Sequence, residues 1–203
     1  MAFTASVIGC DEWGAAPPKN APFRRTTPKW VVVHHAAYPN PPKDHSQRTR
    51  DGAMALAREI QHDHMANRGW FDSGQNFLNS TGGFLLEGRH GSLDAVKAGQ
   101  CIQSAHAPHS PGKLEGGNES PGIENEGNFM TAQMAPVQWD SLVDLCASLC
   151  DSLKLPPTAI KGHRDFTATD CPGDWLYGQL PQLRMDVAKR LGVPLPAGGE
   201  ANV

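Results

Sequence analysis

The run VVVHH at residues 31–35 is the feature that most constrains the fold of this chain. Three successive β-branched residues favour an extended strand, and a strand without polar alternation is typical of the buried centre of a sheet. Two histidines follow directly, so a buried strand delivers polar side chains to the edge of the sheet. We therefore predict a central strand over residues 29–35.

Helical and extended patterns alternate around that strand. Helices are predicted over residues 51–69, 136–154 and about 175–191, and strands over residues 75–79, 83–88, 99–103, 121–127 and 159–162. This alternation predicts an α/β (mixed α+β) fold, a single domain with a central mixed β-sheet flanked by helices. The 203 residues suffice for one well-buried domain, expected over 1–193, with a flexible tail at 194–203.

Charge and composition argue against several classes of function. The net charge is −3 and no basic block is present, which argues against nucleic-acid binding. We see no signal peptide and no apolar stretch long enough to cross a membrane, so we expect synthesis as a soluble cytoplasmic protein without membrane insertion. Five cysteines, an odd number, argue against a disulfide framework, and Cys146 and Cys150 fit a helical core stripe.

The segment GHRDFTATDCPG, residues 162–173, contains His163 and Cys171 in a polar loop. Neutral imidazole and thiolate are good donors to zinc, and a catalytic zinc site usually has three protein ligands and one open position. His34, at the end of the valine run, is the strongest candidate for the third ligand. The alternative is that His34 is structural and the loop binds no metal.

Six motifs occur in order along the chain and carry a family resemblance. They are WGA (13–15), VVVHHAA (31–37), IQHDHMANRGWFDSGQNFL (60–78), EGR (87–89), GIENEGNF (122–129) and GHRDFTATDCPG (162–173). Together they resemble the zinc-dependent N-acetylmuramoyl-L-alanine amidases of type 2. That family shares its fold with peptidoglycan recognition proteins and phage lysozyme-type amidases. The resemblance covers about residues 12–178.

The resemblance implies one Zn²⁺ per chain, held by His34, His163 and Cys171. His35 is then expected to line the cleft or to support a ligand. Recognition proteins that bind the wall without cutting it typically lack the cysteine, so Cys171 favours an enzyme over a peptidoglycan-binding module.

The general base departs from the pattern of many relatives. They carry a tyrosine where this chain has Gln75, and an amide cannot exchange a proton near neutral pH. The segment GIENEG resembles the site of a catalytic glutamate in cytosolic muropeptide-recycling amidases, which places the base at Glu124, with Glu126 as the alternative. Both carboxylates could instead be solvated strand residues.

Three further positions are expected at the substrate. The resemblance implies that Thr169 steadies the carbonyl oxygen in the transition state and that His106 lines the substrate groove, with Gln75 also in contact with substrate. A hydroxyl brings no charge, so more of the oxyanion stabilisation falls on zinc. His64 is expected to be a packed structural histidine, and Arg164 and Asp165 are expected to organise the loop around His163.

The expected reaction is hydrolysis of the amide between N-acetylmuramic acid and L-alanine, in peptidoglycan or in soluble muropeptides. The biological setting stays open between a phage endolysin acting on the wall after release, a recycling amidase and an exported antibacterial effector. The residues are also compatible with a zinc hydrolase for another amide, with a non-catalytic peptidoglycan-binding module, and with a globular protein that binds no metal. The oligomeric state is open, with a monomer favoured.

Overall fold

The computed structural model describes residues 3–37 and 45–194. Its α-helices are Cys10–Trp13 (α1), Arg50–His62 (α2), Ser92–Lys97 (α3), Pro136–Leu153 (α4), Asp174–Gly178 (α5) and Leu180–Leu191 (α6), and short 3-10 helices cover Pro157–Ala159 and His163–Asp165. Its strands are Val7–Ile8 (β1), Arg25–Thr26 (β2), Val31–His35 (β3), Phe77–Asn79 (β4), Leu85–Glu87 (β5), Cys101–Ile102 (β6), Gly122–Asn125 (β7) and Ile160–Gly162 (β8). The predicted mixed α/β class is confirmed.

The valine run forms an interior strand, as predicted. The main sheet has the strand order β1-β5-β4-β7-β3-β8, and a separate small sheet pairs β2 with β6. Strand β3 is flanked by the parallel strands β7 and β8, while β4 and β5 form the expected antiparallel hairpin. Val31, Val32 and Val33 are completely buried.

The two faces of the sheet bury different clusters. Val31 and Val33 join the core beneath α4 and α6, whereas Val32 packs with Ala107 and Phe166 on the opposite face. Successive side chains of a strand point to opposite faces, so His34 lies on the same face as Val32. The candidate site therefore lies on the face of the sheet opposite α4 and α6.

Helix α4 closes the main core and follows its sequence pattern closely. Pro136 occupies the first turn, where the missing backbone N–H would have no partner in any case. The helix buries its apolar stripe, including Cys146 and Cys150 as predicted. All five cysteines are free thiols.

Several predicted boundaries were wrong by two residues or more, as at the starts of β3, β4, β5 and β6. Helix α2 ends at His62 and continues as a π-helix over Asp63–Asn67 rather than running to Gly69. The last helix is divided at Gln179, because Pro181 cannot donate a helical hydrogen bond and its ring clashes with the preceding turn. Strand β7 stops at Asn125, two residues earlier than predicted.

The predicted tail at 194–203 lies outside the described residues, apart from an exposed Pro194. Within the described ranges, no helix combines the length and the apolar character that a membrane crossing requires.

Candidate metal centre

The three predicted metal ligands converge at the ends of two neighbouring strands. Their ligand atoms, in His34, His163 and Cys171, all lie within 4.8 Å of one another. Strand β8 runs parallel to β3, with Val33 opposite Gly162. The next residues along the two strands, His34 and His163, therefore lie at the same edge of the sheet. The rings of His34 and His163 have centroids 4.4 Å apart, and His34 Nδ1 lies 3.6 Å from Cys171 Sγ.

The loop between His163 and Cys171 is held by its own polar groups, as expected. Arg164 donates its backbone N–H to the carbonyl of Cys171 at 3.1 Å. Asp165 accepts from the backbone N–H of Gly162 at 2.8 Å and from the Tyr177 hydroxyl at 2.7 Å. These contacts fix the separation of the two ligands, but none of them reaches the ring of His163.

The surroundings of the His163 imidazole are those expected of a metal ligand. Both ring nitrogens are buried and have no hydrogen-bond partner among residues 3–37 and 45–194. Buried polar atoms of that kind are rare and costly, and a metal ion would satisfy one of these two nitrogens. Burial also lowers the pKa of His163 to about 4, and burial lowers the pKa of His34 well below its usual value. Both rings are therefore neutral, the form that binds metal.

Cys171 completes a donor set suited to zinc. Ligand atoms around a tetrahedral zinc with bonds of about 2.0–2.3 Å are separated by roughly 3.3–3.8 Å, which the pair His34 and Cys171 already meets. Burial raises the pKa of the thiol to about 12, so metal binding has to displace its proton. The backbone N–H of His35 points at Cys171 Sγ from 3.4 Å and favours the thiolate.

The far side of the His34 ring meets His106. His34 Nε2 and His106 Nδ1 are 2.9 Å apart, and His106 Nε2 lies 3.0 Å from the carbonyl oxygen of Ser120. His106 is only 5% exposed, and burial lowers its pKa to about 3. Both of its ring nitrogens have partners within the protein. Its predicted contact with substrate stays a prediction, and sequence reasoning missed its contact with His34.

Glu124 lies beside His34 on the neighbouring strand. The register of β3 and β7 pairs the two residues directly, so their side chains project from the same face. The side chain of Glu124 is partly exposed. Burial raises the pKa of its carboxyl to about 7, against the opposing effect of the Arg68 guanidinium. A base with a pKa near neutrality is suited to proton transfer at the pH of a cell.

Glu126, the alternative base, has a structural position. It is completely buried, and its two carboxylate oxygens accept from the backbone N–H groups of Ser46 and Thr81 at 3.1 and 2.7 Å. Since strand β7 ends at Asn125, Glu126 no longer belongs to the row of side chains that faces His34. The geometry therefore favours Glu124.

Thr169 is placed so that its hydroxyl proton can point outward. The hydroxyl oxygen accepts the backbone N–H of Cys171 at 3.2 Å, which leaves its O–H as a donor. Gln75 is partly exposed, and its Oε1 is buried without a hydrogen-bond partner in the part of the chain that the structure describes. His35 turns its ring toward the chain after β7, where its Nδ1 accepts the backbone N–H of Phe129 at 3.3 Å.

His64 packs away from the three ligands, as expected. It is 7% exposed, its ring lies 4.7 Å from that of Trp70, and its Nδ1 accepts the backbone N–H of Gly74 at 3.0 Å.

Comparison with known proteins gives a consistent family. A family model described as N-acetylmuramoyl-L-alanine amidase matches residues 24–174. The human N-acetylmuramoyl-L-alanine amidase is 30% identical over 188 residues, which cover 88% of this chain but only 29% of the human protein. Peptidoglycan recognition protein 1 of Bos indicus is 30% identical over 180 residues, which cover 87% of this chain and 83% of that protein.

Solved structures of peptidoglycan recognition proteins are similar in fold. Wild-type Drosophila PGRP-LB superposes with a TM-score of 0.69 at 25% identity, over 87% of this chain and 93% of that one. The ectodomain complex of peptidoglycan recognition proteins LCa and LCx, solved with bound tracheal cytotoxin, gives a TM-score of 0.69 at 27% identity, over 87% and 96% of the chains.

The raised pKa of Glu124 predicts a cost in stability. The folded value of about 7 exceeds the usual 4.5, so the cost arises above pH 4.5 and is complete above about pH 7. Glu124→Gln should therefore raise the free energy of unfolding of the metal-free protein at pH 8 by about 1–3 kcal/mol. Urea unfolding at pH 8 and pH 4.5 measures the difference in the free energy of unfolding between the variant and the unaltered protein. A difference as large at pH 4.5 as at pH 8 would contradict the raised pKa of Glu124.

Proposed function

The chain belongs to the N-acetylmuramoyl-L-alanine amidase family, and we propose that it is an active, zinc-dependent member. Its substrate is the amide bond between the lactyl group of N-acetylmuramic acid and L-alanine of the stem peptide. The observation that carries this proposal is the convergence of His34, His163 and Cys171 within 4.8 Å, with Glu124 beside them.

The three ligands would hold zinc through two neutral imidazoles and one thiolate, leaving a position open to the cleft. Zinc in such a site acts as a Lewis acid that makes water more acidic and polarises a carbonyl group. The thiolate brings one negative charge. Burial keeps both histidine rings unprotonated at neutral pH, so protons would not compete with zinc for their nitrogens.

Glu124 is the proposed general base and acid. Its carboxylate would accept a proton from the attacking water as the new C–O bond forms at the amide carbonyl. The protonated carboxyl would then return that proton to the nitrogen of L-alanine as the C–N bond breaks. In the metal-free protein burial raises the pKa of this carboxyl to about 7; bound zinc would lower that pKa while burial opposes the change, so the group would still both accept and return a proton.

Thr169 and Gln75 are proposed to contact the substrate. The Thr169 hydroxyl, whose oxygen is already occupied by the Cys171 N–H, would donate its proton to the carbonyl oxygen as negative charge develops there. Gln75 offers an amide in place of the tyrosine of many relatives. An amide can orient the substrate through hydrogen bonds but cannot transfer a proton, which leaves that task to Glu124.

Product analysis on purified peptidoglycan tests this function. The zinc-loaded protein should release stem peptides with a free L-alanine amino terminus, identified by mass spectrometry. Glu124→Gln should retain zinc and lower turnover about 100- to 10,000-fold, because the amide cannot accept the proton. Wall binding without peptide release by the unaltered protein would instead identify a non-catalytic peptidoglycan-binding module.

The biological setting we propose is an endolysin-like attack on the wall after release from a cytoplasm, with a recycling amidase and an exported effector as the competing settings. Intact sacculi and soluble anhydro-muropeptides distinguish the first two. An endolysin should cleave intact sacculi at least as fast as the soluble fragments. A strong preference for the soluble fragments would contradict it and favour recycling.

The metal requirement is tested through the cysteine ligand. Cys171→Ser replaces a thiolate by a hydroxyl that stays protonated at neutral pH, so zinc affinity should fall about 100-fold or more, with activity falling in parallel. Competition titration against a chromophoric chelator measures the affinity. Cys150→Ser, which alters a thiol buried in α4, is the matched control and should bind zinc normally. Unchanged zinc affinity in Cys171→Ser would contradict the ligand set.

A further inference from the structure

The contact between His34 and His106 places a second histidine directly behind a proposed zinc ligand. The two nitrogens are 2.9 Å apart, and the rings meet edge to face at 85° with centroids 4.8 Å apart. The two residues are 72 positions apart in the sequence, so no local turn brings them together. This contact carries information about which nitrogen of each ring holds a proton.

The carbonyl of Ser120 determines which nitrogen donates in each of the two hydrogen bonds made by His106. A backbone carbonyl can only accept, so the 3.0 Å contact requires the proton of His106 to reside on Nε2. In the neutral ring, Nδ1 of His106 is then an acceptor, and the 2.9 Å contact requires His34 to donate from its Nε2. The remaining nitrogen of His34, Nδ1, is left unprotonated on the side that faces Cys171 Sγ, 3.6 Å away.

The loop that carries His106 and Ser120 is anchored by hydrogen bonds between its own residues. Asn118 accepts the backbone N–H of Ala107 at 2.7 Å through its side chain and that of Ser104 at 2.9 Å through its carbonyl. The Ser120 hydroxyl donates to the carbonyl of Gly116 at 2.7 Å. These bonds hold the acceptor and the ring that binds it at a fixed separation.

Gly122 leaves the space that the His106 ring occupies. A Cβ atom at this position would lie 2.5 Å from Cδ2 and 2.6 Å from Nε2 of His106, closer than real Cβ atoms approach other heavy atoms. A side chain on this residue of β7 would thus displace the ring from both of its partners. The glycine and the anchored loop together preserve the chain Ser120–His106–His34.

We propose that His106 is a positioning residue that fixes the tautomer and the ring orientation of His34 for zinc. The inference rests on the proposed function only in taking His34 as a zinc ligand. A ligand histidine commonly donates its second N–H to a carboxylate, a backbone carbonyl or water. Here the neutral imidazole of His106 accepts that N–H, and its own Nε2–H donates to the carbonyl of Ser120. Neither His106 nor this carbonyl brings a formal negative charge toward the metal.

The first test uses the metal-free protein. Two-dimensional nitrogen–proton NMR correlation distinguishes the two neutral tautomers of a histidine by the shifts of its ring nitrogens. We expect His34 and His106 each to carry the proton on Nε2. A proton on Nδ1 of either ring would overturn the proposal without reference to zinc or to hydrolysis.

The second test is a set of variants in which zinc affinity is the readout. In His106→Asn the side-chain oxygen lies near the place of Nδ1 and can accept the N–H of His34. In His106→Leu a side chain of similar size has no acceptor. We expect His106→Leu to weaken zinc binding about 10- to 100-fold and His106→Asn to recover most of that loss. His64→Leu, which removes another buried histidine outside the ligand set, should leave zinc affinity unchanged.

The outcomes separate this inference from the proposed function. Equal zinc affinity in His106→Leu and the unaltered protein would overturn the positioning role while leaving the zinc site intact. Equal weakening by Asn and Leu would also overturn it, since the loss would then follow ring removal rather than loss of the acceptor. An unaltered protein that binds no zinc would overturn the proposed function and this inference with it.

Discussion

The parallel pairing of β3 with strands on both of its sides is the constraint on which the site depends. Its register with β7 places Glu124 beside His34, and its register with β8 brings His163 to the same edge. Parallel strands present their carboxyl ends together, so three segments that are distant in sequence deliver side chains to one place. The buried valines of β3 make this arrangement rigid, because a one-residue slip would turn His34 to the opposite face.

Burial gives the residues of the candidate metal centre two complementary properties. It keeps the His34 and His163 imidazoles neutral, and it raises the pKa of Glu124 to about 7. Above about pH 6.5, the usual pKa of histidine, the imidazoles are mostly neutral in the unfolded chain as well and add little cost, whereas the environment of Glu124 disfavours its carboxylate and costs stability above about pH 4.5. Bound metal would relieve this cost, because a cation stabilises the thiolate of Cys171 and the carboxylate of Glu124. The stability cost of Glu124 and its proposed role in proton transfer thus have one physical cause, the burial of its carboxyl.

Local sequence patterns predicted the elements that have long β-branched or amphipathic runs. The ligand set came from the motif resemblance. Strand β3 and helix α4 follow from β-branched and amphipathic runs. The two-residue strands β1 and β2 were missed because they are too short to show periodicity. The role of Glu126 could not be read from its segment, since it depends on the backbone of Ser46 and Thr81. The contact of His106 with His34 was missed for the same reason, as it joins a loop to a strand that lies 72 positions earlier in the sequence.

The coordination of zinc in the loaded protein tests the central claim most directly. X-ray absorption spectroscopy at the zinc edge resolves the ligand types and their distances. We expect one sulfur at about 2.3 Å and two imidazole nitrogens at about 2.0 Å, with one further light-atom ligand in the open position. A zinc shell without sulfur, or one that lacks the two imidazoles, would contradict a site built from His34, His163 and Cys171.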